Sequence, residues 1–257
     1  ERPDPDIQSI CISLGKFVQF MNQEHEDIII YEKNSIIFKR KSPKTIKLYF
    51  SFIKSYLRKC HKIKLNTEDI SDYIKFPKTL KDPRIPITLE QLKHIMTHAS
   101  PERRALYYVL VSSGMRIGEA LTLTPRSFDF TSSPVRVTIK AEHTKTREGR
   151  DTFVSSEAVE KLRQVLGDFH KKDCECPRCD DVIFGWGQKE AGVNVAYEDQ
   201  YFIQLRNRLG TMLKHRKADA KQNGSGFFEK YPNSVRYVIN IHSMRAYFMS
   251  KASVLHG

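Results

Sequence analysis

Apolar residues recur at spacings of three and four over Ile7, Ile10, Cys11, Leu14, Phe17, Val18 and Met21, which places them on one stripe of a helix starting near Asp6. The same period returns at Ile46, Tyr49, Phe50, Ile53, Tyr56 and Leu57, behind Ser42 as N-cap and Pro43 at the first helical position. Each stripe needs a partner to bury it, so the two helices are expected to pack in one small helical unit. The pattern then breaks. Between Lys75 and Pro86 there are prolines at 77, 83 and 86, each of which disfavours helix at the residue before it. This stretch reads as an extended linker, and the expected division is 1–76, linker 77–87, and 88–257.

Beyond the linker, Thr88-Leu-Glu-Gln91 has the form of a capping box, and Ser100-Pro101-Glu102 opens a helix running through Leu106, Val109 and Leu110 to Gly114. Val135, Val137 and Ile139 alternate with Arg136, Thr138 and Lys140, the period of a half-buried strand. Asp151-Thr-Phe-Val154 can return beside it after the polar turn from Thr144 to Arg150. Val159, Leu162, Leu166 and Phe169 restore the helical period, and 214–230 reads as a basic, Gly/Ser-containing surface loop. The expected fold class is mainly α with a small β-hairpin sheet.

Composition narrows the partner. The 257 residues carry 43 Lys+Arg against 30 Asp+Glu, a formal charge of +13, which points to a polyanion and to nucleic acid before an anionic membrane. Between Lys33 and Lys64 there are eleven Lys/Arg and no Asp or Glu. A merely soluble face mixes signs, so this run is expected to meet phosphates. Those lying opposite the apolar stripe, Lys44, Lys47, Lys54 and Arg58, are the candidates. No apolar run approaches the ~20 residues of a membrane helix. Five cysteines, three of them within Cys174-Glu-Cys176-Pro-Arg-Cys179, suit a reducing compartment better than a disulfide framework. The opening Glu-Arg-Pro-Asp-Pro has no initiator Met, basic n-region or apolar leader, so the natural start is expected to be missing and no signal peptide is expected; with the cysteine usage, a cytoplasmic, nucleoid-associated protein is expected.

Three short pieces carry candidate chemistry. In Ser113-Gly-Met-Arg116-Ile-Gly-Glu119-Ala-Leu121, an Arg stands at a helix start, where the macrodipole is unfavourable to it. It needs an anionic partner, either Glu119 or a bound phosphate; taken alone, an ordinary Arg-Glu pair would do. Lys140-Ala-Glu-His-Thr-Lys145-Thr-Arg147-Glu-Gly-Arg150 is a basic hairpin tip, common in itself. His242-Ser-Met-Arg245 directs a His and an Arg to one side of a helical turn.

Together and in this order, the basic helical N-terminal part, the Pro-rich linker and the three pieces resemble the tyrosine recombinase (phage integrase) family over nearly the whole chain. The resemblance implies a helical, SAM-like core-binding domain followed by a mixed α+β catalytic domain, closing around double-stranded DNA as a dimer to tetramer. It implies cutting and rejoining of DNA through a 3′-phosphotyrosine, as in the integration of mobile or viral DNA, with no cofactor for catalysis. By the same resemblance Arg116 and Arg245 fork onto one phosphate, His242 donates to it or moves a proton at the nucleophile, and Lys145 protonates the leaving 5′ oxygen. Lys140 and Arg147 compete for the lysine's place, Arg147 is a further DNA contact, and Glu119 braces Arg116.

Two features depart from the pattern. The family's Tyr nucleophile lies well downstream of H-x-x-R, yet only twelve residues follow Arg245, and Tyr247 sits where the family has a helix-packing residue. The nucleophile is expected in a further segment, or the chain is an inactive DNA-binding relative. His170, Cys174, Cys176 and Cys179 have the donor types of a structural zinc site, the alternative being a reduced Cys-rich loop. Cys11 and Cys60 are expected as small buried hydrophobes.

Overall fold

The computed structural model describes residues 6–23, 40–78, 85–167, 179–185, 191–214, 226–231 and 236–255, the side chains of 191–193 excepted. The chain divides into two compact units, Glu1–Lys81 and Asp82–Gly257. Residues 79–84 of the Pro-rich stretch lie outside the described residues, as do Lys33, Lys39, Phe169 and 215–225.

The first unit is built from α1 (Ile7–Met21), α2 (Pro43–Cys60) and α3 (Thr67–Tyr73). Asp6 caps α1 by accepting from the Gln8 N–H, and Ser42 caps α2 by accepting from Thr45 N–H at 3.2 Å. Cys11, Leu14, Val18 and Met21 meet Ile46, Phe50, Leu65 and Ile74 in one core, with Ile53, Leu57 and Phe76 packed against it. The buried stripe of α2 is narrower than the apolar pattern predicts. Tyr49 and Tyr56 are exposed, and Tyr56 turns its hydroxyl to His61 at 3.2 Å. Among the described residues, α1 together with Leu65, Ile74 and Phe76 covers Ile46 and Phe50, and Ile53 and Leu57 are half-buried at the edge of that contact. Cys60, at the last turn, is exposed rather than buried, and Ile7 at the first turn of α1 is exposed as well.

The second unit begins at its linker edge, since Ile87 is already buried in its core. Its elements are α4 (Leu89–His98), α5 (Pro101–Ser113), the single turn α6 (Ile117–Ala120), β1 (Phe128–Asp129), β2 (Val135–Ile139), β3 (Arg150–Val154), α7 (Ser156–Leu166), α8 (Ala191–Lys214) and α9 (His242–Leu255). The capping box forms as expected: Thr88 Oγ1 accepts from Gln91 N–H, and Gln91 Oε1 accepts from Thr88 N–H. Helix α5 is the centre, burying Ala105, Leu106, Tyr107, Val109 and Leu110 and packing on α7, α9 and β3. The sheet is antiparallel in the order β1-β2-β3, with Val135 opposite Val154 and Ile139 opposite Arg150. The hairpin is the one the alternation predicts. The two-residue β1 carries no periodic signal of its own.

A buried polar tie fixes α8 to α5. Glu198 accepts from the Tyr107 hydroxyl at 2.6 Å and from Arg103 Nε at 2.9 Å, while the Arg103 guanidinium stacks on Tyr201. Burial raises the Glu198 carboxyl above the ordinary range, against the pull of Tyr107 and Arg103, and pushes the Tyr107 phenol up as well. Among the described residues no helix is long and apolar enough to cross a membrane.

Close approach explains one glycine in the first unit. A Cβ on Gly15 of α1 would sit 2.7 Å from the Tyr73 carbonyl oxygen of α3, a backbone atom that cannot swing away. Gly15→Ala is therefore expected to cost about 1–3 kcal/mol through separation of α1 from α3, read as a lower urea midpoint of the first unit.

Candidate active site

The site is organised at the end of α5. Gly114 takes a left-handed conformation, φ 63°, which lets the chain leave the helix sharply and present Met115 and Arg116. It is also where α9 comes closest, because a Cβ on Gly114 would collide with the Phe248 ring. Arg245 Nη1, on α9, donates to the Gly114 carbonyl oxygen. H-x-x-R and the Arg116 turn, far apart in sequence, thus meet at one backbone group.

Arg116 is the N-cap of α6, the position where its charge is unfavourable, and Glu119 answers it. The Arg116 N–H donates to Glu119 Oε2 at 2.7 Å and Nη1 donates to Oε1 at 2.9 Å. Glu119 is 2% exposed, whereas the Arg116 side chain is 41% exposed. The carboxylate is inside and the rest of the guanidinium faces solvent. Sequence reasoning identified this brace and missed its second half: Arg150, the first residue of β3, donates from Nη1 to Oε1 at 3.1 Å and from Nη2 to Oε2 at 2.6 Å. Burial works to raise the Glu119 carboxyl, but hydrogen bonds from Arg150 and Arg116 outweigh it and hold the group below the usual carboxylate range. The available signal was the alternation itself, which puts Arg150, Thr152 and Val154 on one face of β3.

Lys145 lies on the exposed loop between β2 and β3, as do Lys140 and Arg147. The loop is held from within by Thr144, which is 6% exposed; its Oγ1 donates within reach of the Ala141 and Glu148 carbonyls and accepts from Glu148 N–H, each at 3.0 Å. Arg147 adopts φ 57°, a left-handed turn at a non-glycine. Thr152 Oγ1 donates to the Ser113 carbonyl at 3.0 Å, seating β3 on the end of α5.

His242 opens α9 and is exposed. Its N–H donates to Asn240 Oδ1 at 3.1 Å, and Asn240 Nδ2 donates to the carbonyls of Tyr237 and Val238. Ser243 Oγ adds a bond to the Val238 carbonyl at 2.9 Å. Asn240 and Ser243 were not singled out in the sequence, although Asn before a helix is a standard capping signal. Arg206 of α8, 4% exposed, supports the same segment by stacking on Tyr237 at 3.6 Å and donating to the Ile239 carbonyl. Asp199 of α8 lies close enough to feel the His242 charge: burial raises its carboxyl and His242 offsets part of that rise. Tyr247 packs against the core of the unit, in keeping with a helix-packing role.

In the first unit, Lys44, Lys47 and Arg58 are exposed and Lys54 is half-buried, so Lys54 does not stand fully opposite the stripe. Lys47 Nζ lies 5.9 Å from the Phe76 ring centroid. Of the four zinc candidates, His170, Cys174 and Cys176 lie outside the described residues, and Cys179 is buried. Among the described residues no three His, Cys, Asp or Glu are grouped to hold a metal.

The Glu119 clamp makes a pH prediction. A carboxyl whose pKa is lower folded than unfolded contributes stability above its unfolded pKa and loses it as pH falls through the folded one. Glu119→Gln should therefore cost about 1–3 kcal/mol at pH 7, by leaving two partly exposed guanidiniums with one neutral acceptor oxygen in place of a carboxylate. The gap to the unsubstituted protein should narrow as pH falls below the usual carboxylate range and through the lower folded value, where Glu119 takes up its proton, as measured by urea unfolding at pH 7 and at successively lower pH.

Comparison with known proteins gives the family of the chain. Residues 86–249, which include every catalytic candidate, match the family model of the phage integrase family. Tyrosine recombinase XerC of Chlamydia caviae is 26% identical over 281 residues, covering 92% of this chain and 78% of that protein. XerC of Chlamydia trachomatis serovar L2 is 31% identical over 182 residues, covering 68% of this chain and 56% of that protein. In fold, the chain is similar to the Tn1549 transposon integrase solved in complex with circular intermediate DNA, with a TM-score of 0.54, 16% identity, and coverage of 99% of this chain and 76% of that one. The chain belongs to the phage integrase, or tyrosine recombinase, family.

Proposed function

We propose that the protein is a site-specific recombinase that cuts and rejoins duplex DNA through a 3′-phosphotyrosine. The observation that carries this reading is the meeting of Arg245 and the Arg116 turn at Gly114, with the Arg116 guanidinium braced on one side and open on the other. Two guanidiniums so placed can receive the non-bridging oxygens of one phosphodiester and answer the charge that builds on them as a tyrosine oxygen attacks phosphorus. The new bond is P–O(Tyr) and the broken one is P–O5′. Lys145 gives the leaving 5′ oxygen its proton, and His242 donates to the phosphate or moves a proton at the nucleophile. Rejoining is the same step reversed, so bond energy is conserved. Residues 6–255 supply the phosphate-binding groups in this reading, and none of them is assigned the nucleophile. Because two duplexes exchange strands, more than one protomer acts on the DNA.

The decisive experiment is capture of a covalent protein–DNA adduct by the full-length protein on a nicked suicide substrate. Duplex binding with no adduct would favour an architectural relative. Arg116→Ala and Arg245→Ala should each lower cleavage by about 10²–10³-fold while duplex binding stays within a few-fold. Lys145→Ala should regain cleavage selectively when the 5′ leaving oxygen is replaced by sulfur, since a thiolate departs without a proton. Equal losses on both substrates would move the acid role to Lys140 or elsewhere. In the first unit, Lys47→Gln together with Arg58→Gln should flatten the plot of log K against log salt by up to about 2, on specific and non-specific DNA alike. An unchanged slope would make this basic run a solvated face.

A further inference from the structure

We propose that Arg150 is a positioning residue that sets the Lys145 loop against Arg116 by way of their shared carboxylate, Glu119. The inference rests on the recombinase reading for the role of Lys145, and on geometry alone for the tie itself.

The loop 140–149 leaves β2 at Ile139 and re-enters the sheet at Arg150, and these two residues are paired across the hairpin. Arg150 is therefore the base of the loop. Both of its terminal nitrogens are engaged by Glu119, at 3.1 and 2.6 Å, and Glu119 in turn takes both the backbone N–H and a side-chain N–H of Arg116. Within the loop, Thr144 bonds across to Ala141 and Glu148, so the residue next to Lys145 cannot drift independently of the base. Hydrogen bonds run from the Arg116 guanidinium through one buried carboxylate to Arg150, and the Thr144 bonds that hold the turn carrying Lys145 end at Glu148, two residues before Arg150 along the chain.

Arg150 is 35% exposed, which would also suit a direct phosphate contact. Two of its five N–H groups are directed at Glu119, one from each terminal nitrogen, and this parallel pair fixes the plane of the guanidinium against the carboxylate. The planar fork matters, because a lysine ammonium cannot span both carboxylate oxygens in parallel. Removing Arg150 would free the loop base. It would also leave Arg116 as the sole answer to a buried charge, drawing it inward.

The test uses the full-length protein on nicked duplexes with either oxygen or sulfur at the 5′ leaving position, with Lys145→Ala and Arg116→Ala as references. Arg150→Gln should slow cleavage of the oxygen substrate by about 10–100-fold and regain most of that loss on the sulfur substrate, as Lys145→Ala does and Arg116→Ala does not. Arg150→Lys, which keeps the charge and loses the fork, should fall between and guards against misfolding of the glutamine variant. Equal losses on both substrates overturn the proposal and make Arg150 a phosphate ligand. A second measurement needs no catalysis: amide hydrogen exchange at Arg147 and Glu148 should accelerate by about tenfold or more in both variants relative to α7. Unchanged exchange there overturns the proposal as well. A protein that never cleaves would refute the recombinase reading, and the exchange result would still decide for or against the Arg150 tie.

Discussion

Burying the Glu119 carboxylate costs several kcal/mol of hydration unless its charge is answered where it sits, and the two guanidiniums that answer it come from different elements. Arg116 reaches it from the N-cap of α6, and Arg150 reaches it from the start of β3, so the sheet and the end of α5 cannot separate without stranding a buried charge. The bracing of Arg116 follows from that constraint, and the hairpin is held to the end of α5 by it together with the Thr152–Ser113 bond. An apolar residue at 119 would pack as well but would leave Arg116 facing the positive end of a helix with nothing to hold it.

A second constraint is steric. Helix α9 lies so close to Gly114 that no side chain fits there, and the same glycine supplies the left-handed turn that ends α5. The close approach brings Arg245 onto the Gly114 carbonyl. It also sets His242 at the head of α9, where Asn240, Ser243 and the buried Arg206 fix the incoming chain. The fixed bonds thus lie behind the groups proposed to bind phosphate, of which Arg245 is half-buried and Arg116, Lys145 and His242 have exposed side chains.

The helical first unit divides its labour around α2. At 100° per residue, Lys44, Lys47, Lys54 and Arg58 share a sector of about 80°, while Leu48, Tyr49, Phe52 and Tyr56 share another of about 100°. The second sector is exposed rather than covered by α1 or α3. The charge and the aromatic rings therefore point away from the small core formed by Ile46 and Phe50, and the cations that remain exposed are free to meet a polyanion.

Local pattern determined much of this. Helix starts at Asp6, Ser42, Thr88 and Ser100 were legible because capping is a short-range hydrogen bond between neighbours in sequence. The hairpin was legible because alternation with a polar turn admits few other structures. The Arg116–Glu119 pair was legible because three residues of helix bring it together. Arg150 on Glu119, Arg245 on Gly114 and Arg206 on Tyr237 join residues distant in sequence, and nothing in the period of either partner announces the other. The same limit explains Tyr49, Tyr56 and Cys60. Periodicity gives a helix its apolar stripe, but only the size and number of neighbouring elements decide how wide a stripe is buried.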